Sequence, residues 1–160
     1  LQESKTDSPA KAIGKIAVIT SEYNGTFVGG MLGAALDVLK EAGTTEVEQV
    51  SVPGAFEIPV VCAQLARRDN DRPSAVICLG VIIRGETTHA DHIGVTVSRL
   101  LGQIAAETGV PVIHEVLLLE NEEQAPQRCL NTVTNRGTEA AYTALKMAQT
   151  MRQISNPNTL

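Results

Sequence analysis

The sequence predicts an α/β sandwich in which four mainly parallel strands lie between two layers of helices. Two observations predict this fold class. Four short runs rich in Val and Ile have the composition of buried strands, and each is followed by a segment whose apolar residues recur at helical spacing. Parallel strands joined by right-handed helical crossovers produce this alternation. The length of 160 residues suits one domain, which we expect to include residues 1–160.

The first strand–helix unit follows a polar N-terminal segment. Residues 1–12 are polar and include Pro9, so we expect a flexible or partner-docked arm there. Residues 15–20 read Lys-Ile-Ala-Val-Ile-Thr and predict a strand. Thr26 is the candidate N-cap of the next helix, and Gly43 is placed to end that helix.

The second unit combines a strand predicted at residues 47–52 with a helix predicted at residues 60–68. Residues 53–59, which read Pro-Gly-Ala-Phe-Glu-Ile-Pro, connect the two elements. Pro59 is compatible with the first turn of the helix, where its missing N–H group would have no helical partner.

The third unit contains the segment that we expect to carry the chemistry. Residues 74–83 are apolar almost without a break, which favours a strand buried on both faces of a parallel sheet. Arg84 and Gly85 end this strand. Thr88 and Asp91 then have the spacing of a capping box at the start of a helix. A polar turn of this kind offers backbone N–H groups and a positive charge to an anion, most often phosphate.

The fourth unit begins with a strand predicted at residues 112–119. Asn121 is a candidate N-cap for the next helix, which Pro126 should keep short or bent because proline has no N–H group to donate. The Ala-rich residues 137–152 predict a longer terminal helix. The predicted order of strands and helices is therefore βαβαβαβαα, with two helices after the fourth strand.

Composition and charge argue against several classes of partner. A net charge of −5 opposes general binding to nucleic acids and membrane surfaces, because both are anionic. No apolar run reaches the roughly 18 residues that a membrane-spanning helix requires. Cys62, Cys78 and Cys129 lack the spacing of metal ligands, so we expect reduced thiols. They favour a cytoplasmic protein, or a plastid protein if a transit peptide preceded Leu1.

The predicted topology brings the polar loops together. In open parallel sheets ligands bind beyond the carboxyl ends of the strands. We therefore expect four segments to converge there, at residues 23–24, 54–57, 84–89 and 118–128. This convergence predicts a pocket with an aromatic wall, a carboxylate, a histidine and an anion site.

His89 is the candidate acid/base residue of this pocket. Imidazole is the side chain that most readily exchanges a proton near neutral pH. A polar residue at the start of a helix also needs no catalytic explanation, and its spacing alone leaves both interpretations open. A metal site built from His89, His92 and His114 is less well supported, because the sequence contains no HExxH-like pattern. We expect no metal.

Nucleotide cofactors are also not indicated. Gly80, Gly85 and Gly94 do not form a dinucleotide-binding fingerprint, and the sequence contains no Gly-Lys-Ser/Thr phosphate-binding loop. We therefore expect no nucleotide cofactor.

Three motifs together resemble lumazine synthases, the penultimate enzymes of riboflavin biosynthesis. They are Val-Pro-Gly-Ala-Phe-Glu-Ile-Pro at residues 52–59, Arg-Gly-Glu-Thr-Thr-His at residues 84–89 and Asn-Arg-Gly-Thr-Glu-Ala-Ala at residues 135–141. The resemblance extends from about residue 16 to residue 148. It implies a flavodoxin-like three-layer α/β/α sandwich that forms homopentamers with active sites between subunits. In some members the pentamers assemble into decamers or icosahedral capsids.

The resemblance also implies a reaction. Lumazine synthases are transferases that condense 5-amino-6-(D-ribitylamino)uracil with 3,4-dihydroxy-2-butanone 4-phosphate, and the products are 6,7-dimethyl-8-ribityllumazine, phosphate and water. No cofactor or metal takes part. His89 matches the family's acid/base histidine. The other implied contacts are to the pyrimidine by Tyr23, Asn24, Val81, Ile82, Ile83 and His114, to the ribityl chain by Ala55, Phe56 and Glu57, and to the phosphate by Glu86, Thr87 and Arg128.

The sequence differs from the family pattern in four places. Tyr23 replaces the usual Phe or Trp, His114 replaces a Phe, Pro126 lies two residues before Arg128, and residues 129–134 replace a linker that contains Gly and Lys. These differences leave room for a non-catalytic homologue that binds flavin or lumazine or forms a shell. A general phosphosugar-processing α/β enzyme would explain the anion loop but not the Gly-Ala-Phe-Glu segment.

Overall fold

The computed structural model describes residues 14–159, so the predicted arm at residues 1–12 lies outside the described residues. Four strands pair in parallel in the order β2-β1-β3-β4, which confirms the predicted α/β class. The strands are β1 (Ile16–Ser21), β2 (Val47–Val52), β3 (Ala75–Ile83) and β4 (Val112–Leu119). The helices are α1 (Gly25–Glu41), α2 (Ile58–Ala66), α3 (His89–Thr108), α4 (Ala125–Cys129) and α5 (Arg136–Ser155).

The sheet lies between two apolar cores, one on each face. Alternate residues of β1 point to opposite faces, so Ile16 and Val18 pack with α1, α4 and α5, whereas Ala17 and Ile19 pack with α2 and α3. The first seven residues of β3 are buried, which confirms a strand covered on both faces. None of the helices at residues 14–159 combines the length and hydropathy that crossing a membrane requires.

The motif at residues 135–141 joins three helices. The Asn135 side chain donates to the carbonyl oxygens of Cys129 on α4 at 2.7 Å and of Gly30 on α1 at 3.3 Å, and it accepts from the Gly137 N–H at 2.8 Å. A Cβ at Gly137 would overlap the backbone of Met31. The Asn-Arg-Gly sequence therefore allows α1 and α5 to approach closely.

One predicted helix start and one predicted capping box are wrong. Helix α1 begins at Gly25 rather than after Thr26, because Asn24 adopts a left-handed conformation with φ 57° at the N-cap position. At the start of α3, Thr88 occupies the N-cap position but its side chain makes no capping hydrogen bond. The expected capping box is absent because the Asp91 carboxylate pairs with Arg84 at 2.6 Å.

Other local predictions are confirmed. Asn121 accepts a hydrogen bond from the Gln124 N–H at 3.2 Å, and the helix that follows, which contains Pro126, has only five residues. Helix α2 (Ile58–Ala66) follows a 3₁₀ turn at Ala55–Glu57 and has Pro59 in its first turn, as predicted, although it ends two residues before Arg68. The three cysteines are buried and form no disulfide.

Candidate active site

A cleft of about 700 Å³ opens at the carboxyl ends of β1 and β3. Three of the four segments expected to converge there do so. They contribute Tyr23 and Asn24 after β1, Gly54, Ala55, Phe56 and Glu57 after β2, and Val81, Ile82, Ile83 and His89 from β3 and the start of α3.

The aromatic wall of the cleft is formed by Tyr23 and Phe56. Tyr23 is 71% exposed and Phe56 is 58% exposed, which is high for side chains of this size. Exposed aromatic rings beside a cleft provide flat apolar surfaces on which a planar heterocycle can stack. The rings therefore fit an aromatic ligand.

The Gly-Ala-Phe-Glu segment fixes a carboxylate next to this wall. Glu57 Oε2 accepts a hydrogen bond from the Gly54 N–H at 3.0 Å across the 3₁₀ turn. A Cβ at Gly54 would lie 3.2 Å from the Tyr23 ring and 3.0 Å from Glu57 Oε2, so a larger residue would crowd both. The turn holds one carboxylate oxygen and leaves the other for hydroxyl groups of a ligand.

The floor of the cleft is an unpaired edge of β3. Pairing of β1 with β3 ends at Leu79, whereas β3 continues beside β4 as far as Ile83. In the described part of the chain, backbone groups on the β1 side of residues 81–83 therefore have no sheet partner and can bind the edge of a ligand. Asn24 occupies one of them, because its Nδ2 donates to the Val81 carbonyl at 2.7 Å.

Helix α3 presents two histidines to the cleft. His89 is the first residue of the helix, and its ring has no hydrogen-bond partner within the part of the chain that the structure describes. His92, Ile93 and Thr96 also line the cleft, although the sequence analysis did not assign them to the site. Helical spacing was the available signal, because residues three apart share a helix face.

Four predicted contact residues do not line the cleft. Glu86 and Thr87 are exposed in the loop before α3. His114 lies on the edge strand β4 and Arg128 on α4, and no residue of 118–128 reaches the cleft. The expected convergence of that fourth segment is therefore wrong for a single chain.

His114 is bound within its own chain. Its Nδ1 accepts from the Val116 N–H at 3.1 Å, and its Nε2 lies 2.6 Å from Ser98 Oγ on α3. Burial lowers the pKa of the imidazole, which favours the neutral ring that this pattern requires. With Nδ1 as acceptor, the neutral ring carries its proton on Nε2 and donates to Ser98.

Arg84 does not supply a free positive charge. Its guanidinium pairs with Asp91 at 2.6 Å and with Glu120 at 3.3 Å. Two carboxylates therefore neutralise the charge that the sequence analysis assigned to the anion loop. Among residues 14–159 no cluster of three His, Cys, Asp or Glu side chains is arranged to hold a metal ion.

Glu115 on β4 is a partly buried carboxyl group outside the cleft. Burial raises its pKa to about 7, while the charge of Arg136 opposes the shift and that of Glu139 adds to it. The folded-state pKa thus exceeds that of an unfolded chain. The stability contributed by this group is fully present at acid pH and is lost as the pH rises through about 7.

Glu115→Gln should therefore raise the free energy of unfolding at pH 8 by about 1–2 kcal/mol and change it little at pH 4. The full pKa shift corresponds to about 3 kcal/mol, and partial exposure of the carboxyl group reduces this value. Urea unfolding of the variant and the parent protein at both pH values measures the effect. An equal increase in the free energy of unfolding at the two pH values would show that ionisation of Glu115 does not cause the effect.

Comparison with known proteins shows which family of proteins this chain resembles. The sequence model of 6,7-dimethyl-8-ribityllumazine synthase matches residues 14–152, and so includes all three motifs and every residue of the cleft. The chain belongs to the lumazine synthase family. A 6,7-dimethyl-8-ribityllumazine synthase of Pyrococcus furiosus is 39% identical over 144 residues, which are 90% of this chain and 89% of that protein.

Solved structures give a weaker likeness. A GDP-L-fucose synthetase from Naegleria fowleri matches 98% of this chain with a TM-score of 0.44 and 14% identity, and its NADP-bound form matches 95% with a TM-score of 0.41 and 14% identity. This chain spans about half the length of those proteins, 48% and 51% respectively. At these scores the likeness carries no inference, whereas the match to lumazine synthases favours the enzyme over the non-catalytic homologue.

Proposed function

We propose that this protein condenses 5-amino-6-(D-ribitylamino)uracil with 3,4-dihydroxy-2-butanone 4-phosphate in riboflavin biosynthesis, forming 6,7-dimethyl-8-ribityllumazine, phosphate and water. The observation that carries the proposal is one cleft, in a chain of this family, that combines two exposed aromatic rings, a fixed carboxylate, an unpaired strand edge and His89. No cofactor or metal is required.

The pyrimidine substrate fits the inner part of the cleft. Its ring stacks on Tyr23, while its polar edge binds the unpaired backbone of residues 81–83 and the Asn24 side chain. The ribityl hydroxyl groups reach the turn at residues 55–57, where Phe56 covers the chain and Glu57 accepts hydrogen bonds. The Asn24–Val81 hydrogen bond supports this pose, because it orients the amide beside the strand edge.

The phosphate of the second substrate binds at the start of α3. The loop at residues 85–88 precedes a helix of 20 residues, and its N–H groups and the Thr87 hydroxyl suit an anion. Glu86 contributes through its backbone, because its carboxylate would repel phosphate. Since Arg84 is neutralised within the chain, the compensating charge comes from Arg128.

His89 moves the protons of the reaction. The amine attacks the ketone and loses a proton, and the carbinolamine then loses water to form an imine. Loss of a carbon-bound proton expels phosphate, and attack by the ribityl-bearing nitrogen closes the ring with loss of a second water. Each step needs a base or an acid within reach. His89 lines the cleft, and its ring has no competing partner among residues 14–159.

We also propose a homopentamer whose active sites lie between subunits. His114 and Arg128 lie outside the cleft of their own chain, which is expected if each completes the cleft of a neighbour. The aromatic rings of the cleft and apolar side chains of the 129–134 linker are exposed in one chain, and an assembly would cover them. Residues 1–160 then form one domain of each subunit, and the free buried thiols suit the cytoplasm.

The function is tested by adding both substrates to the purified protein and following lumazine fluorescence. We expect product only when both substrates are present. Riboflavin is titrated against the same sample. Tight riboflavin binding with no product, in a folded protein, would contradict the enzyme and support the non-catalytic flavin-binding homologue.

Arg128→Ala should raise the KM for the phosphate substrate by at least about tenfold and change the KM for the pyrimidine far less, because a charge-assisted pair to phosphate is lost. Steady-state kinetics with each substrate varied in turn measures the difference. Arg152→Ala, which removes an exposed arginine from α5, is the matched control and should leave both KM values unchanged. Equal weakening of both substrates would assign Arg128 a structural role.

A further inference from the structure

We propose that His92 is a second proton-transfer residue of the reaction and acts as the acid while His89 acts as the base. The inference rests on the proposed function, since it assigns a step of that reaction. His89 and His92 are three residues apart on α3, so their Cβ atoms lie about 5–6 Å apart on one face of the helix. Both side chains line the cleft.

The rings of His89 and His92 have few hydrogen-bond partners among the residues that the structure describes, so both are available to a ligand. Within residues 14–159 the ring of His92 has one hydrogen-bond partner, Thr88, whose Oγ1 lies 3.4 Å from Nε2. That long contact leaves Nδ1 without a partner in the described part of the chain. The ring of His89 has no partner there.

The two carboxylates near His92 already have partners. Glu57 holds the Gly54 N–H with one oxygen. Asp91 on the same helix is paired with Arg84. The two imidazoles are therefore the groups of the cleft best suited to exchange protons near pH 7.

Two imidazoles allow one dehydration step to run without a free hydronium or hydroxide ion. The nitrogen lone pair of the carbinolamine forms the C=N bond as the C–O bond breaks. Protonated His92 gives its proton to the leaving oxygen, which departs as water, and neutral His89 takes the proton from the nitrogen. His92 gives one proton and His89 takes one. Because both rings are exposed, proton exchange with solvent then returns each ring to its starting protonation state.

His92→Gln tests the proposal, because glutamine keeps a polar side chain of similar length and cannot donate a proton as an acid. We expect kcat to fall by about 10- to 100-fold with little change in either KM, and the pH profile of kcat to differ from that of the parent protein. Lys146→Gln, which changes an exposed residue of α5, is the control and should behave as the parent protein. Titration of a ribityl-pyrimidine analogue shows that the cleft of the variant is intact.

An unchanged kcat and pH profile in His92→Gln would overturn the proposal. A rise in KM alone would also overturn it, because His92 would then contact the substrate without transferring a proton. The parent protein in the same assay separates this outcome from failure of the proposed function. If the parent forms no lumazine, the function itself is wrong; if parent and variant turn over equally, only the role of His92 is wrong.

Discussion

His89→Ala is expected to reduce kcat by about 10²–10⁴-fold while a ribityl-pyrimidine analogue binds almost as well as before. Turnover falls because the proposed reaction transfers protons at each step. Binding survives because the pyrimidine site rests on Tyr23, the Gly-Ala-Phe-Glu turn and the edge of β3. Steady-state fluorescence kinetics and calorimetric titration of the analogue measure the two effects separately.

The result distinguishes catalysis from a structural role. His89 is exposed and its ring makes no hydrogen bond within residues 14–159, so the variant should unfold at the same temperature as the parent protein. A variant that loses analogue binding but keeps kcat would contradict the assigned role. A large fall in the unfolding temperature would indicate that His89 supports the fold.

Gly137→Ala has the largest expected effect on stability. The added Cβ would overlap the carbonyl oxygen and Cα of Met31, where α5 crosses α1. These are backbone atoms, so no side-chain rotation relieves the overlap and one helix must move. Movement would also disturb the Asn135 hydrogen bonds that join α1, α4 and α5. We expect a loss of at least about 3 kcal/mol in the free energy of unfolding, measured by urea unfolding.

Gly33→Ala in α1 is the matched control. Gly33 is exposed, and a Cβ there would have no neighbouring atom of residues 14–159 within 4 Å. Alanine in the middle of a helix should therefore stabilise the protein by about 0.5–1 kcal/mol. Similar free energies of unfolding for the two variants would show that the close approach at Gly137 does not decide the stability of the helix pair.

The strands and helices could be predicted because their signals are local. The run ending at Ile83 is apolar because both faces of β3 are covered, and the position of Pro126 limits α4 to one short turn. The cap at Thr26 could not be predicted correctly, because Asn24 is held by the Val81 carbonyl 57 residues away in sequence. Local sequence patterns do not predict contacts between residues so far apart in the sequence.

Some site residues could likewise be predicted from the sequence, and others could not. Motif and topology were enough to place Tyr23, the Gly-Ala-Phe-Glu turn and His89 in one cleft. The charge of Arg84 was misassigned, since its partner Glu120 follows β4 and meets it only in the folded chain. His92 shares a helix face with His89, so helical spacing could have placed it in the cleft, but it was considered only as a possible metal ligand.

The most direct test of the proposed function is to measure lumazine and phosphate in the same sample. The purified protein is given both substrates, and lumazine absorbance and released phosphate are followed together, with each substrate omitted in turn. If the proposed function is correct, the two products appear in equal amounts, and neither appears when the pyrimidine is absent. Phosphate release without lumazine, or no product from folded and assembled protein at saturating substrate, would contradict it.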